Sequence, residues 1–238
     1  MAIGIGGSTP EQELSKLTNM TADVNAISLE EYQQRIAKAQ QLMQEQNIEA
    51  LYINAGTNLS YFTGTDWHSS ERLVGALLPA NGDLVYIAPW FEQNTLDGFM
   101  TVKAPVIGWH EHESPTQLVI DLLVKNNITQ GTISVDESTA FFTADGFIQT
   151  AKKQGLSLEF VTSKAITAGC RAVKSTAELA LLQRAKDMTM EVHKAVARIL
   201  KPGITVAEVT SFIYQAHIKV GAEKGFSFCI VLFGGDTA

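Results

Sequence analysis

Between two short apolar runs, residues 73–78 and 84–87, stands the pentapeptide Pro79-Ala80-Asn81-Gly82-Asp83. Asparagine and glycine accept the left-handed backbone that a tight reversal needs, and proline pre-sets one turn angle. Two strands joined by so short a connection pair antiparallel. The sheet of this chain must therefore contain one such hairpin. The segments around it have a different rhythm. Residues 50–54, 102–109, 132–135 and 158–161 are strand-like, and helical spacing of apolar residues separates them. Ser28-Leu29-Glu30-Glu31 has the form of a capping box. Behind it Tyr32, Ile36, Ala39, Leu42 and Met43 recur on one helical face, and Asn47 ends the helix. Ser114-Pro115 opens a second helix, with proline where its missing amide costs nothing. Residues 139–154 read as a third, and residues 59–64 as a short helix or loop ending in Gly64. Strands alternating with helices over residues 28–163 predict an α/β domain, and the hairpin makes its sheet mixed.

Flanking this domain the pattern changes. Residues 1–27 are polar with early glycines, and read as an N-terminal arm or a short, loosely attached helix. Residues 163–176 read as a junction. Ser175-Thr176-Ala177-Glu178 is a second capping box, opening a helix over 177–200 that Lys201-Pro202-Gly203 stops. Thr205-Val206-Ala207-Glu208 is a third box, with a helix running to about Val220. The run Phe226-Ser227-Phe228-Cys229-Ile230-Val231-Leu232-Phe233 reads as a strand. Two amphipathic helices and a strand without a partner do not close a core. The expectation is thus that a second domain, residues 164–238, is truncated.

Bulk properties exclude several classes. Of 238 residues, 45% are hydrophobic and 18% charged, as in ordinary soluble proteins. The net charge of -7 repels nucleic-acid phosphates and anionic lipid head groups, so neither is an expected partner. Two distant cysteines, Cys170 and Cys229, make no disulfide framework and read as reduced thiols. The first residues lack a basic stretch and a long apolar run, and no segment of about 18 apolar residues occurs. No leader and no membrane span are expected, and the cytoplasm is the expected location.

The residues carry no assembled catalytic constellation. His110-Glu111-His112-Glu113 could place two imidazoles together, but it follows a strand end and precedes Ser114-Pro115, so it reads as a solvated loop. Gly234-Gly235-Asp236 lacks the lysine and helix of a phosphate loop. No G-x-S-x-G elbow occurs. His193 and His217 fall inside helical patterns and read as helix residues. One stretch stands out: Tyr61-Phe62-Thr63-Gly64-Thr65-Asp66-Trp67-His68 puts aromatics, an imidazole and a carboxylate between regular elements. Either this is a binding loop, or Tyr61 and Phe62 anchor the core and the rest is surface.

Tyr61-Phe62-Thr63-Gly64 after a strand, followed by the Pro79–Asp83 hairpin, resembles the N-terminal domain of the creatinase and Xaa-Pro peptidase family (aminopeptidase P, prolidase). Arg171-Ala172-Val173-Lys174-Ser175-Thr176-Ala177-Glu178-Leu179, with Ala185 behind it, is similar to the R-x-x-K-s-x-x-E-l stretch that leads into that family's catalytic domain. Lys201-Pro202-Gly203-Ile204-Thr205-Val206-Ala207-Glu208 resembles its k-P-G-x-T-x-x-E corner, and the run ending Phe233-Gly234-Gly235 resembles the stretch before its first active-site histidine. The resemblance implies a creatinase-like, ribonuclease H-like mixed-sheet domain over 28–163, followed by the start of an α+β pita-bread domain. It further implies hydrolysis of the peptide bond before proline by two divalent metals, manganese or cobalt, which activate a bridging water. The family's ligands, two aspartates, a histidine and two glutamates, would all follow residue 233. No catalytic residue and no metal ligand is therefore carried over, and this chain alone is expected to bind no metal and to be inactive. In the family the N-terminal domain helps form homodimers and leans over a partner's active site. By that analogy Tyr61, Trp67 and His68 are candidates for substrate-pocket or interface residues. Two further readings share the fold: a metal-free creatine amidinohydrolase, and a non-catalytic protein-binding module of the kind that usually carries long acidic tails.

Overall fold

The computed structural model describes residues 4–237. The first three residues of the arm, and Ala238, lie outside the described residues. In chain order the elements are α1 (Pro10–Lys16), α2 (Leu29–Glu45), β1 (Ile48–Asn54), α3 (Thr57–Thr63), β2 (Gly75–Pro79), β3 (Val85–Pro89), α4 (Gln93–Phe99), β4 (Val106–Trp109), α5 (Pro115–Lys125), β5 (Gln130–Val135), α6 (Phe141–Lys153), β6 (Ser157–Thr162), α7 (Lys164–Arg171), α8 (Thr176–Ile199) and α9 (Val206–Val220). They form two compact units. Residues 27–174 make a sheet unit, and residues up to 26 together with 175 onward make a helical unit.

The sheet has the order β4-β3-β2-β1-β5-β6. The hairpin places β2 antiparallel to β3, with Leu77 opposite Val85, and β2 is also antiparallel to β1. The remaining neighbours pair parallel. Five strands thus run one way and β2 alone runs back. The α/β, mixed-sheet fold expected from the sequence is the fold observed. Gln40 of α2 reaches the turn, its side-chain amide donating to the Pro79 and Gly82 carbonyls at 3.0 and 2.8 Å.

Strand side chains alternate between faces, so β1 feeds two layers. Leu51 and Ile53 pack with Ala39, Met43, Phe62, Leu78, Ile166 and Cys170 under α2, α3 and α7. Ala50 and Tyr52 pack with Leu77, Val119, Ile120, Leu123 and Phe147 under α5 and α6. A strand covered on both sides must be apolar throughout, which explains the unbroken run Ala50-Leu51-Tyr52-Ile53.

Several boundaries differ from the sequence reading. The strand anticipated over 102–109 forms only at Val106–Trp109, and α4 was not anticipated. The junction assigned to 163–176 contains a helix, α7, whose Ile166 and Cys170 belong to the core. The first capping box is half formed. Ser28 accepts from the Glu31 amide at 3.2 Å, but the Glu31 carboxylate pairs with Arg35 at 2.7 Å.

In the helical unit, both boxes form completely at the starts of α8 and α9. Met188, Val192, Ala195, Ile199, Phe212, Ala216 and Val220 make its core, covered in part by Leu14, Leu17 and Met20. The segment read as a loosely attached arm is therefore packed. Glu13, only 1% exposed, accepts from Ser8 Oγ at 2.5 Å, Lys16 Nζ at 2.5 Å and Arg198 at 3.1 Å. Burial works against its charge, but those donors from Lys16, Ser8 and Arg198 outweigh it and bring the carboxyl down to about 2. Gly6 lies so close to α8 that a Cβ there would stand 2.4 Å from the Arg198 Cα.

Residues 226–233 are not a strand. Phe228 and Ile230 are 78% and 73% exposed, and the segment takes part in no sheet. An apolar run becomes a strand only through backbone bonds to another strand, and none is offered among the described residues. No helix among the described residues is long and apolar enough to cross a membrane.

Candidate functional site

Because five strands share a direction, the carboxyl ends of β1, β3, β4, β5 and β6 meet the amino end of β2 at one edge. Ligands of open α/β sheets bind outside such carboxyl ends. At this edge, between the ends of β1 and β5, lies Asp136, 2% exposed. Its Oδ2 accepts from the Asn54 amide and from Asn58 Nδ2, both at 3.1 Å. Its Oδ1 accepts from the Ser138 amide at 2.8 Å and from Ser138 Oγ at 2.7 Å. Asn58 Oδ1 in turn accepts from Arg171 at 2.9 Å. Next to it, Glu137 accepts from Ser163 Oγ at 2.7 Å and Thr167 Oγ1 at 3.0 Å. Burial pushes the Glu137 carboxyl up, but these hydroxyls, the backbone and Asn58 hold it below its ordinary value. Tyr52, fully buried beside Asp136, has its phenol pushed far up by burial and then by that charge.

With both oxygens of Asp136 engaged by four donors, the cluster is saturated. It ties the loops after β1 and β5 to α7, and leaves no free base beside a nucleophile. The chemistry this arrangement performs is positioning.

Toward the β3 and β4 end of the same edge, three and four strands from β5, aromatic rings follow the strands. Trp90 stacks on His110 (centroids 5.4 Å apart), and His110 on His112 (5.6 Å, interplanar angle 12°). Arg72 donates to Glu111 at 2.9 Å and lies 5.7 Å from the Phe91 ring. Trp90, Phe91, Phe141 and Phe142 are all exposed. The two imidazoles lie nearly parallel. Among the described residues no group of three or more His, Cys, Asp or Glu could hold a metal ion. The metal pair implied by the family resemblance thus finds no donor set among the described residues.

The candidates named from sequence face different neighbours. Tyr61, in α3, is half-buried: its hydroxyl donates to the Cys170 carbonyl at 2.8 Å, and Arg35 lies 4.2 Å over its ring. Trp67 leans edge-on against Phe99, with centroids 6.0 Å apart. His68 is exposed on the loop before β2. His193 is exposed on α8, and the His217 Nδ1 lies 2.8 Å from the Ile213 carbonyl of its own helix. Sequence reasoning did not find Asp136, Asn54 or the role of Asn58. These short polar residues are separated by some eighty positions, and only the β1–β5 pairing brings them together.

The family model described as the creatinase/prolidase N-terminal domain matches residues 35–173, more than half the chain. The chain belongs to that family. It is 24% identical over 197 residues to an uncharacterized hydrolase/peptidase of Sinorhizobium fredii, covering 79% of this chain and 50% of that protein. It is 23% identical over 215 residues to the ectoine hydrolase of Halomonas elongata, covering 87% of this chain and 53% of that one. The fold is also that of the recombinant prolidase from Thermococcus sibiricus, with a TM-score of 0.68 at 20% identity, over 85% of this chain and 52% of that structure. The chain spans about half the length of the curated relatives it matches.

Proposed function

We propose that this chain is the N-terminal part of a peptidase-type metallohydrolase that cleaves the bond before proline. The observation that carries the reading is the family match over residues 35–173, followed in order by the Arg171–Glu178 and Pro202–Glu208 motifs. In this reading manganese or cobalt is held by residues in the part of the relatives that this chain does not span. The described residues supply fold and contact surface. In the same reading Trp67, His68 and the exposed aromatics after β3 and β4 meet a proline-containing peptide or a second copy of the chain in a homodimer. The 238-residue chain by itself turns over no substrate.

A second reading has its own support, since an ectoine hydrolase matches as much of the chain as the peptidases do. A hydrolase of a small non-peptide substrate would share this N-terminal domain. The test is to read the coding sequence past the Ala238 codon and assay the encoded product on Ala-Pro and Ala-Ala, with and without a chelator. Cleavage of Ala-Pro alone, abolished by the chelator, supports the first reading. A product without two aspartates, a histidine and two glutamates as ligands, and without dipeptide turnover, overturns it. Turnover of Ala-Pro by the purified 238-residue chain would refute the placement of the active site.

A further inference from the structure

The Arg171-x-x-Lys174 pair is part of a motif assigned from sequence to a lead-in between domains, with no physical role. The structure gives it one. Helix α7 has only eight residues, yet it is fastened at every turn. At its start, Ser163 and Thr167 hydroxyls donate to Glu137. In its middle, Ile166 and Cys170 are buried in the core beneath α2 and α3. At its end, the Tyr61 hydroxyl donates to the Cys170 carbonyl at 2.8 Å, and Arg171 donates to Asn58 at 2.9 Å while lying 6.0 Å from the Tyr61 ring. Lys174 then folds back, its Nζ donating to the Arg171 carbonyl at 2.7 Å and the Ala172 carbonyl at 3.3 Å. Those carbonyls are ones that a helix leaves without an internal partner. One residue further on, Ser175 and Glu178 exchange bonds at 2.8 and 3.1 Å and lock the start of α8.

Residues 172–174 therefore lie between two fixed ends, and all three are exposed. We propose that Asn58, Tyr61 and Arg171 form a latch on the end of α7. The latch holds the end of α7 in place and leaves residues 172–174 as the segment where the backbone yields. Asn58 also bonds Asp136, so the latch shares a residue with the cluster at the carboxyl ends of β1 and β5. Tyr61, Asn58 and Arg171 act as positioning residues, and none is assigned a chemical step. Hinges of this kind are a few residues at element ends that absorb the backbone change.

The test uses the 238-residue chain and its Tyr61→Phe and Asn58→Ala variants. Deuterium uptake is followed by mass spectrometry in peptides covering residues 168–174, whose Ala172 amide bonds to the Ala168 carbonyl at 2.8 Å, and in peptides covering β1. Tyr61→Phe removes one hydrogen bond, the one to Cys170, and Asn58→Ala removes two, those with Arg171 and Asp136, so uptake in 168–174 should rise roughly five-fold in the first and at least as much in the second while β1 is unchanged. In parallel, trypsin should cut the native chain after Lys174 before it cuts after Arg171, and both variants should narrow that preference. Unchanged uptake in 168–174, or an equal rise in β1, overturns the latch. Should Asn58→Ala not fold, Tyr61→Phe, which deletes a single oxygen, decides the question. First cleavage of the native chain after Arg171 overturns the placement of the hinge.

Discussion

Replacing Glu13 with glutamine keeps the side chain's shape and removes its charge. Glu13 has an ordinary value of 4.5 and is brought to about 2 in the fold. A depressed carboxyl contributes stability above its unfolded value, and loses it as pH falls through the folded one. The full shift would correspond to about 3 kcal/mol. Two of its donors, Lys16 and Arg198, are 60% and 52% exposed, so solvent screening brings the expectation to about 1.5 kcal/mol at pH 7. For a unit of this size that is a fall of about 5–10 °C in melting temperature. The assay can separate the units. All three tryptophans, Trp67, Trp90 and Trp109, lie in the sheet unit, so their fluorescence reports that unit alone. Far-ultraviolet circular dichroism also sees α1, α8 and α9. Glu13→Gln should lower the helical transition and leave the fluorescence transition in place. The gap between wild type and variant should begin to close below about pH 4.5 and vanish near pH 2. A gap that stays constant from pH 7 to pH 3 would show that the loss is one of packing, and would refute the electrostatic reasoning.

Two other outcomes are expected. Phe147, fully buried with its ring edge-on to Tyr52 (5.0 Å) and stacked on Phe160 (6.3 Å), should cost about 3–5 kcal/mol when replaced by alanine; urea unfolding followed by tryptophan fluorescence checks this. With Phe228 and Ile230 exposed, the 238-residue chain should self-associate as concentration rises, and light scattering that reports a monomer at high concentration would contradict this.

Local chemistry was legible wherever one segment contained its own cause. The hairpin at Asn81-Gly82, the proline start of α5 and the boxes at Ser175 and Thr205 all satisfy their backbone within a few residues, and all formed as read. The box at Ser28 formed by half because Arg35, one turn on, competes for Glu31. The misreadings share a dependence on distant partners. Residues 226–233 have strand composition, but pairing is not a property of one segment. Glu13 looks like a surface residue until Arg198 arrives beside it. At the candidate site, the exposed aromatics are visible in sequence only as scattered letters. Asp136 became central through its register against β1, which nothing in its own neighbourhood announces. Gly64 was legible as a terminator, and it does end α3, with a φ of 69°.

The contact between Glu13 and Arg198 joins residues 185 positions apart, with the whole sheet unit encoded between them. A ribosome adding about 5–20 residues per second needs on the order of 10–40 s to deliver the second after the first. During that interval the sheet unit can complete its fold, while Leu14, Leu17 and Met20 have no helix to cover. The segment bearing α1 thus stays uncovered, open to chaperones and proteases, until α8 leaves the exit tunnel. Changes that slow translation across residues 27–174 should lengthen that exposure without altering a single native contact.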